Sequence, residues 1–238
     1  MSPNPAKEVA FSLQSALENR GNIPYFSAMR SPTVLPLRPF YLLRHGESEY
    51  NARNIAAGGG VDTPLTDIGR AQARGLADVI GQLGIKPSRI YHSHQSRARE
   101  TAEIVNRVFG LDILQSPNLQ EHMFGTWEGI KWDDLQSRFA EGQEPENGET
   151  RAEFFERAGR GIRHVLETSP EDYPLIAAHG GVFRALGGLY GVEIRHIGNC
   201  ELRLFEPLSD VAYFPWKMTQ FKPSECGQKL VSSEIFPK

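Results

Sequence analysis

Cysteine is scarce. The 238-residue chain carries only Cys200 and Cys226, far apart and without the spacing of a metal knuckle or a disulfide framework. A reducing compartment is therefore expected. Long apolar runs are missing too: none approaches the ~20 residues that cross a bilayer. The N-terminal stretch also lacks the apolar core of a secretion signal. A soluble, cytoplasmic protein is the expectation. Charge of one sign is not in excess. The formal net charge is −3 and charged residues make up 23% of the chain, so no nucleic acid and no membrane is indicated as a partner. There is no internal repeat. Gly58-Gly59-Gly60 lacks the Lys-Ser/Thr pair that would make a P-loop. What is present is an ordinary globular composition, long enough to bury a full core.

Residues 1–38 carry Pro3, Pro5, Pro24, Pro32 and Pro36. Residues 6–20 pattern as an amphipathic helix, and residues 21–38 as an extended connector, because proline fixes φ and removes a backbone donor. The segment reads as a packing arm; a homodimer contact or a pocket lid is the functional alternative. Beyond it, strand and helix signals alternate. Phe40-Tyr41-Leu42-Leu43 has no polar alternation, as in a strand buried on both faces. Thr66 is a helix cap, with Ala73, Leu76, Ala77 and Ile80 at helical spacing. Residues 89–92 read as a strand, 96–109 as a helix with Ala98, Thr101, Ala102, Val105 and Val108 on one face, and 112–114 as a short strand. Thr150 and Glu153 form a capping box for a helix reaching about Thr168. Residues 175–178 read as a strand, 182–190 as a helix and 201–205 as a final strand. This alternation predicts an α/β fold with a mainly parallel sheet, and functional residues at the carboxyl ends of its strands. Residues 207–238 read as a C-terminal extension packed on the domain formed by residues 39–206.

Chemistry-bearing residues cluster at those strand ends. Arg44-His45-Gly46-Glu47-Ser48 follows the first apolar run, with Asn51 close behind. His179-Gly180-Gly181 follows Leu175-Ile176-Ala177-Ala178. Between them lie Asp62-Thr63-Pro64-Leu65-Thr66, Arg97-Ala98 with Thr101-Ala102, and Glu121 ahead of Phe124-Gly125-Thr126-Trp127-Glu128-Gly129. Neutral imidazole can attack phosphorus, and guanidinium groups grip phosphoryl oxygens in fork geometry. In this ordered set, from about Pro39 to Phe205, the chain resembles the histidine phosphatase superfamily, which includes the cofactor-dependent phosphoglycerate mutases.

The resemblance implies a three-layer α/β/α sandwich with a small helical cap over the site, inserted at about residues 116–150. It implies His45 as the nucleophile and Arg44 and Arg97 as the phosphate clamp. His179 would be a second imidazole on the phosphate, as cation or hydrogen-bond donor. Glu121 would be the general acid, with Glu128 the competing carboxylate. Asn51, Ser48 and Gly180 would complete the substrate-binding set. Gly46 would leave room for the phosphate, and the glycines at 58–60 could expose N–H groups to it or form a plain turn. Arg184 reads as a structural residue. No metal and no cofactor is implied. His92 and His94 share a strand-like face without a carboxylate partner. One departure stands out: after Ser93, where relatives often have Pro-Leu, this chain has His94-Gln95.

The activity implied is hydrolysis of a small phosphorylated metabolite or a phosphoprotein through a phosphohistidine. The Phe-Gly-Thr-Trp-Glu-Gly element favours hydrolysis, and the longer mutase-type insert between Glu121 and His179 is not recognisable. A mutase-type phosphotransferase, or a phospholigand-binding protein with little catalysis, is the alternative. The acidic cap sequence disfavours an inositol polyphosphate. Sugar phosphates, nucleotide monophosphates and phosphorylated side chains stay open. Trp127 and Trp132 read as packing or as a stacking surface for an aromatic leaving group.

Overall fold

The computed structural model describes residues 35–209 and 214–237. The expected N-terminal helix and most of the connector lie outside the described residues. The described chain forms one seven-stranded sheet in the order β3-β2-β4-β1-β5-β6-β7. The strands are β1 (Phe40–Arg44), β2 (Ile90–His92), β3 (Ile113–Gln115), β4 (Leu175–Ala178), β5 (Leu202–Pro207), β6 (Trp216–Pro223) and β7 (Leu230–Ile235). β3, β2, β4 and β1 run parallel, whereas β5, β6 and β7 are antiparallel additions. The helices are α1 (Glu49–Ala52), α2 (Asp67–Ile80), α3 (Ser96–Asn106), α4 (Trp132–Ala140), α5 (Arg151–Thr168) and α6 (Gly180–Leu189).

The sheet is buried on both faces because β1 and β4 are apolar without alternation. Phe40, Leu42, Ile176 and Ala178 pack with Ile162, Val165 and Leu166 of α5 and Val182, Phe183 and Leu186 of α6. Tyr41, Leu43, Leu175 and Ala177 pack the other way, against Ala73, Leu76 and Ile80 of α2 and Ala102 and Val105 of α3. Successive strand side chains point to opposite faces, so each strand serves two layers of helices. This is the expected three-layer α/β/α sandwich. The cap has its own small core of Ala56, Phe124, Trp127 and Leu135.

Local signals act as read. The Thr66 hydroxyl accepts from Gly69 N, and Thr150 with Glu153 closes a reciprocal box. Two readings change. Helix α3 ends at Asn106, so Val108 lies beyond it and is exposed. The C-terminal segment extends the sheet rather than lying over its surface: β6 pairs with β5 from Leu202–Phe221 to Pro207–Trp216. Trp216 and Phe214 then join the cluster containing Phe40 and Phe205. No helix among the described residues is long and apolar enough to cross a membrane.

One register matters most for function. Parallel pairing sets Arg44 of β1 against Ala178 of β4. The next residues, His45 and His179, leave the two strands side by side at their carboxyl ends.

Candidate active site

His45 is 3% exposed and begins the loop after β1. Its N–H donates to the Ala178 carbonyl (3.0 Å), and its own carbonyl accepts from Asn199 Nδ2 (3.2 Å) and Cys200 N (3.2 Å). Its ring Nδ1 lies 2.6 Å from the Gly46 carbonyl. That carbonyl can only accept, so Nδ1 carries the proton and Nε2 holds the lone pair. Gly46 meets a different demand from the one expected: a Cβ there would lie 2.5 Å from the Gly69 carbonyl. The glycine lets the loop close on the first turn of α2.

His179 is fully buried, with its ring centroid 5.1 Å from that of His45. Its Nε2 lies 2.9 Å from Ser93 Oγ. Ser93 Oγ already accepts from Gln95 N, so its hydroxyl proton is free to point at Nε2. In the tautomer where Ser93 Oγ–H donates to Nε2, the proton of His179 sits on Nδ1, which is buried with no partner. Burial, followed by the charges of Arg97 and Arg44, holds the His45 pKa well below 6.5. Burial, Arg97, His45 and Arg44 do the same to His179. In the anion-free site both imidazoles are thus held toward the neutral form.

Arg44 ends β1. Its Nη1 donates to the Ile197 carbonyl (2.7 Å), while Nε is buried without a partner. Arg97, in the first turn of α3, is 2% exposed. Its Nη2 donates to Gly58 O (3.1 Å) and its Nη1 to Val61 O (3.3 Å), with Asp62 at 3.8 Å. Burial lowers the pKa of both arginines, opposed in each by the charge of Glu121.

Glu121 is half-buried, and its side chain is tied at both oxygens: Oε1 accepts from its neighbour His122 N (2.9 Å) and Oε2 from Gly181 N (3.0 Å) at the start of α6. Any side chain at Gly181 would overlap this carboxylate. Glu128 instead accepts from Gly60 N and Phe124 N, bracing the loop. Gly59 N is also taken, by His122 O, so of the three glycine amides only that of Gly58, on the cavity lining, is left for an anion. The stretch offers the Gly58 carbonyl to Arg97. Ser48 spends its hydroxyl capping α1, where it accepts from Asn51 N. Asn51 Oδ1 accepts from Ser48 N and Asn199 Nδ2, which leaves its own Nδ2 facing the cavity.

A cavity of about 340 Å³ is lined by Arg44, His45, Ser48, Asn51, Arg97, Glu121 and Gly180, together with Arg184 and Asn199. His179 lies behind this wall, against His45. The remaining histidines do not gather: His122 stacks on Phe154 with Nε2 on the Glu149 carbonyl, and His94 is exposed. Among the described residues no cluster of three or more His, Cys, Asp or Glu could hold a metal ion.

Three residues matter here that sequence reasoning passed over or misjudged. Gln95 is 1% exposed. Its amide donates to Gly58 O, the carbonyl that also holds Arg97, and its Oε1 accepts from Glu121 N (3.0 Å). Arg157 of α5 donates to the carbonyls of Asn118, Gln120 and Glu121 and pairs with Glu149 (2.7 Å). Arg184, read as structural, lines the cavity instead. Its spacing from Gly180, four residues and one turn into α6, was the available signal.

Paired imidazoles, a buried and a half-buried guanidinium and a carboxylate thus gather at the carboxyl ends of the parallel strands, a set that can hold a phosphoryl group. The chain belongs to the histidine phosphatase superfamily, branch 1, whose family pattern matches residues 40–208. It is similar to a probable phosphoglycerate mutase, GpmB, of Escherichia fergusonii, with 34% identity over 59% of this chain and 68% of that protein. It is also similar to an uncharacterised phosphatase, PhoE, of Bacillus subtilis, with 32% identity over 61% of this chain and 73% of that protein. Among solved structures, the mycobacterial glucosyl-3-phosphoglycerate phosphatase superposes with a TM-score of 0.62 at 25% identity, over 76% of this chain and 96% of that one.

Proposed function

We propose that this protein is a metal-independent phosphomonoester hydrolase working through a phosphohistidine on His45. One observation carries the reading. Nε2 of His45 has no partner among the described residues, and two buried nitrogens of the same site, Arg44 Nε and, as a donor in one tautomer, His179 Nδ1, are also unpartnered. Buried donors without acceptors are rare, and an anion satisfies them.

In the first step His45 Nε2 attacks phosphorus and the bond to the leaving oxygen breaks. Glu121 delivers a proton to that oxygen, giving the free alcohol. Arg44, Arg97, Asn51 Nδ2 and His179 Nδ1 hold the three remaining oxygens as charge moves onto them. In the second step Glu121 takes a proton from water, whose oxygen attacks phosphorus. The P–N bond breaks, leaving neutral His45 and inorganic phosphate.

The test is phosphate release from a panel of monoesters, with chelator present, for the wild type and His45→Ala. Hydrolysis that survives chelator and vanishes in His45→Ala is expected. Absence of hydrolysis from every ester overturns the reading. The name of the mutase relative supports a second reading, transfer of the phosphoryl group back to substrate. Phosphoglycerate interconversion primed by 2,3-bisphosphoglycerate, exceeding phosphate release, would favour it.

A further inference from the structure

A second cavity of about 740 Å³ opens beside the phosphate pocket and shares Glu121, Phe124, Trp132 and Arg184 with it. Its outer walls carry a broad apolar surface, Leu135 and Phe139 from α4, Phe154 and Phe155 from α5 and Ile194 beyond α6, with Gln136, Arg151 and Glu193 set among it. Arg184 stands at the junction. It is exposed, and its guanidinium lies 5.5 Å from the centroid of the Trp132 ring. No carboxylate among the described residues lies within ion-pair distance of it. A Cβ built on Gly180 would meet Arg184 Nη1 and Arg44 Nε, each at 3.6 Å. The two guanidiniums therefore crowd one spot. Arg44 serves the phosphoryl group, and Arg184 stands one step nearer the second cavity, with no carboxylate among the described residues in ion-pair contact with it.

The cavity's contents follow from its walls. A three-carbon alcohol would leave most of the phenylalanine surface wet. A sugar would press hydroxyls against Leu135, Phe139 and Phe155, with Glu121, Gln136 and Glu193 as the side-chain acceptors on the lining. A planar ring fits, stacking on aromatic walls at small entropic cost. A negative group on that ring would pair with Arg184 in fork geometry. We infer that the cavity seats the leaving alcohol, and that this alcohol is a flat, mainly apolar ring system bearing a carboxylate that Arg184 binds. The inference rests on the hydrolase reading and adds the substrate class to it.

Three esters test it: 6-phosphonooxy-2-naphthoate, 2-naphthyl phosphate and glycerol 2-phosphate. In the wild type kcat/KM should fall along this series, by about tenfold from the naphthyl to the glycerol ester. The carboxylate should be worth about tenfold more, as for a hydrogen-bonded charge. In Arg184→Gln the naphthoate and naphthyl esters should become equivalent. Equal kcat/KM for the naphthoate and glycerol esters in the wild type, or an unchanged carboxylate preference in Arg184→Gln, overturns the inference while leaving the hydrolase reading intact. Calorimetric binding of 6-hydroxy-2-naphthoate to His45→Ala needs no turnover. Binding weakened about tenfold by adding Arg184→Gln supports the cavity assignment even if no ester is hydrolysed. No binding overturns it.

Discussion

His45 and His179 share a low-dielectric site with two guanidiniums, and their pKa values respond in one direction. Burial comes first and Arg97 second, and both push the rings well below 6.5. The folded protein therefore refuses protons that the unfolded chain accepts. Neutral imidazoles cost nothing above pH 6.5, and stability falls as pH drops below it. In nitrogen-15 spectra of the protein without phosphate, both rings should stay neutral through pH 6.5, with resonances assigned from His45→Gln and His179→Gln. A midpoint near 6.5 for either ring would sink the claim. Gln95 gives a second prediction at this scale. Its one amide bridges the loop that holds Arg97 and the backbone of Glu121. Gln95→Leu would strand Glu121 N and free both loops. A displacement of about 1 Å can cost about a hundredfold in rate. Alkyl phosphates, which need a proton from Glu121, should lose kcat far more than p-nitrophenyl phosphate, whose leaving group needs none. Equal losses for both esters would show a merely structural role.

The elements explain why some of this was legible and some was not. β1 and β4 announced themselves because four successive apolar residues must be buried on both faces, and the caps at Thr66 and Thr150 act within one turn of chain. The candidate site residues could be picked out because each sits at or near an element boundary marked by glycine or a motif. Arg157 could not, and Gln95 stood out only as a departure from the family pattern, because each acts across long chain separations on backbone groups that have no sequence signature. β6 was missed for another reason. Trp216 and Met218 alternate with Lys217 and Thr219, but Phe221 breaks the pattern on the strand's exposed half. Arg157 carries the prediction for this scale. Burial raises the Glu149 pKa, but hydrogen bonds from Arg157 and Met123 N, with the charges of Arg157 and His122, together outweigh it, and the net shift is downward. The pair thus contributes stability above pH 4.5 that is lost as pH falls toward the depressed folded value. Arg157→Met should cost about 2–3 kcal/mol near neutral pH, somewhat less than a fully buried pair because Glu149 keeps some solvent contact. In urea titrations the gap to wild type should narrow below pH 4.5. A gap that is constant with pH would mean that the carbonyl contacts, not the ion pair, carry the stability.

Across the whole molecule, the catalytic strand β1 sits between the parallel half of the sheet and the antiparallel half. β4 sets the register of His179, and β5 closes the other edge. The C-terminal strands therefore support the site at a distance, through packing rather than chemistry. Trp216 is the test of that support. It is 2% exposed, meets Phe40 edge-on at 6.1 Å and Tyr190 at 5.2 Å, and opens the β6 ladder opposite Pro207. Truncation to Trp216→Ala should cost about 3–5 kcal/mol, lowering Tm by roughly 10 °C in a chain of this length. Below the transition kcat/KM should hold, because no atom of Trp216 lines either cavity. Trp216→Phe separates packing from polarity. The indole Nε1 is buried without a partner, so the tryptophan already bears the cost of an unmet donor. Phenylalanine keeps most of the ring and drops that donor, so its loss should be well under half that of alanine. If the two variants are equally destabilised in urea, Trp216 is held by a hydrogen bond rather than by fit. If Trp216→Ala loses kcat in proportion to stability, the antiparallel half does more than brace β1.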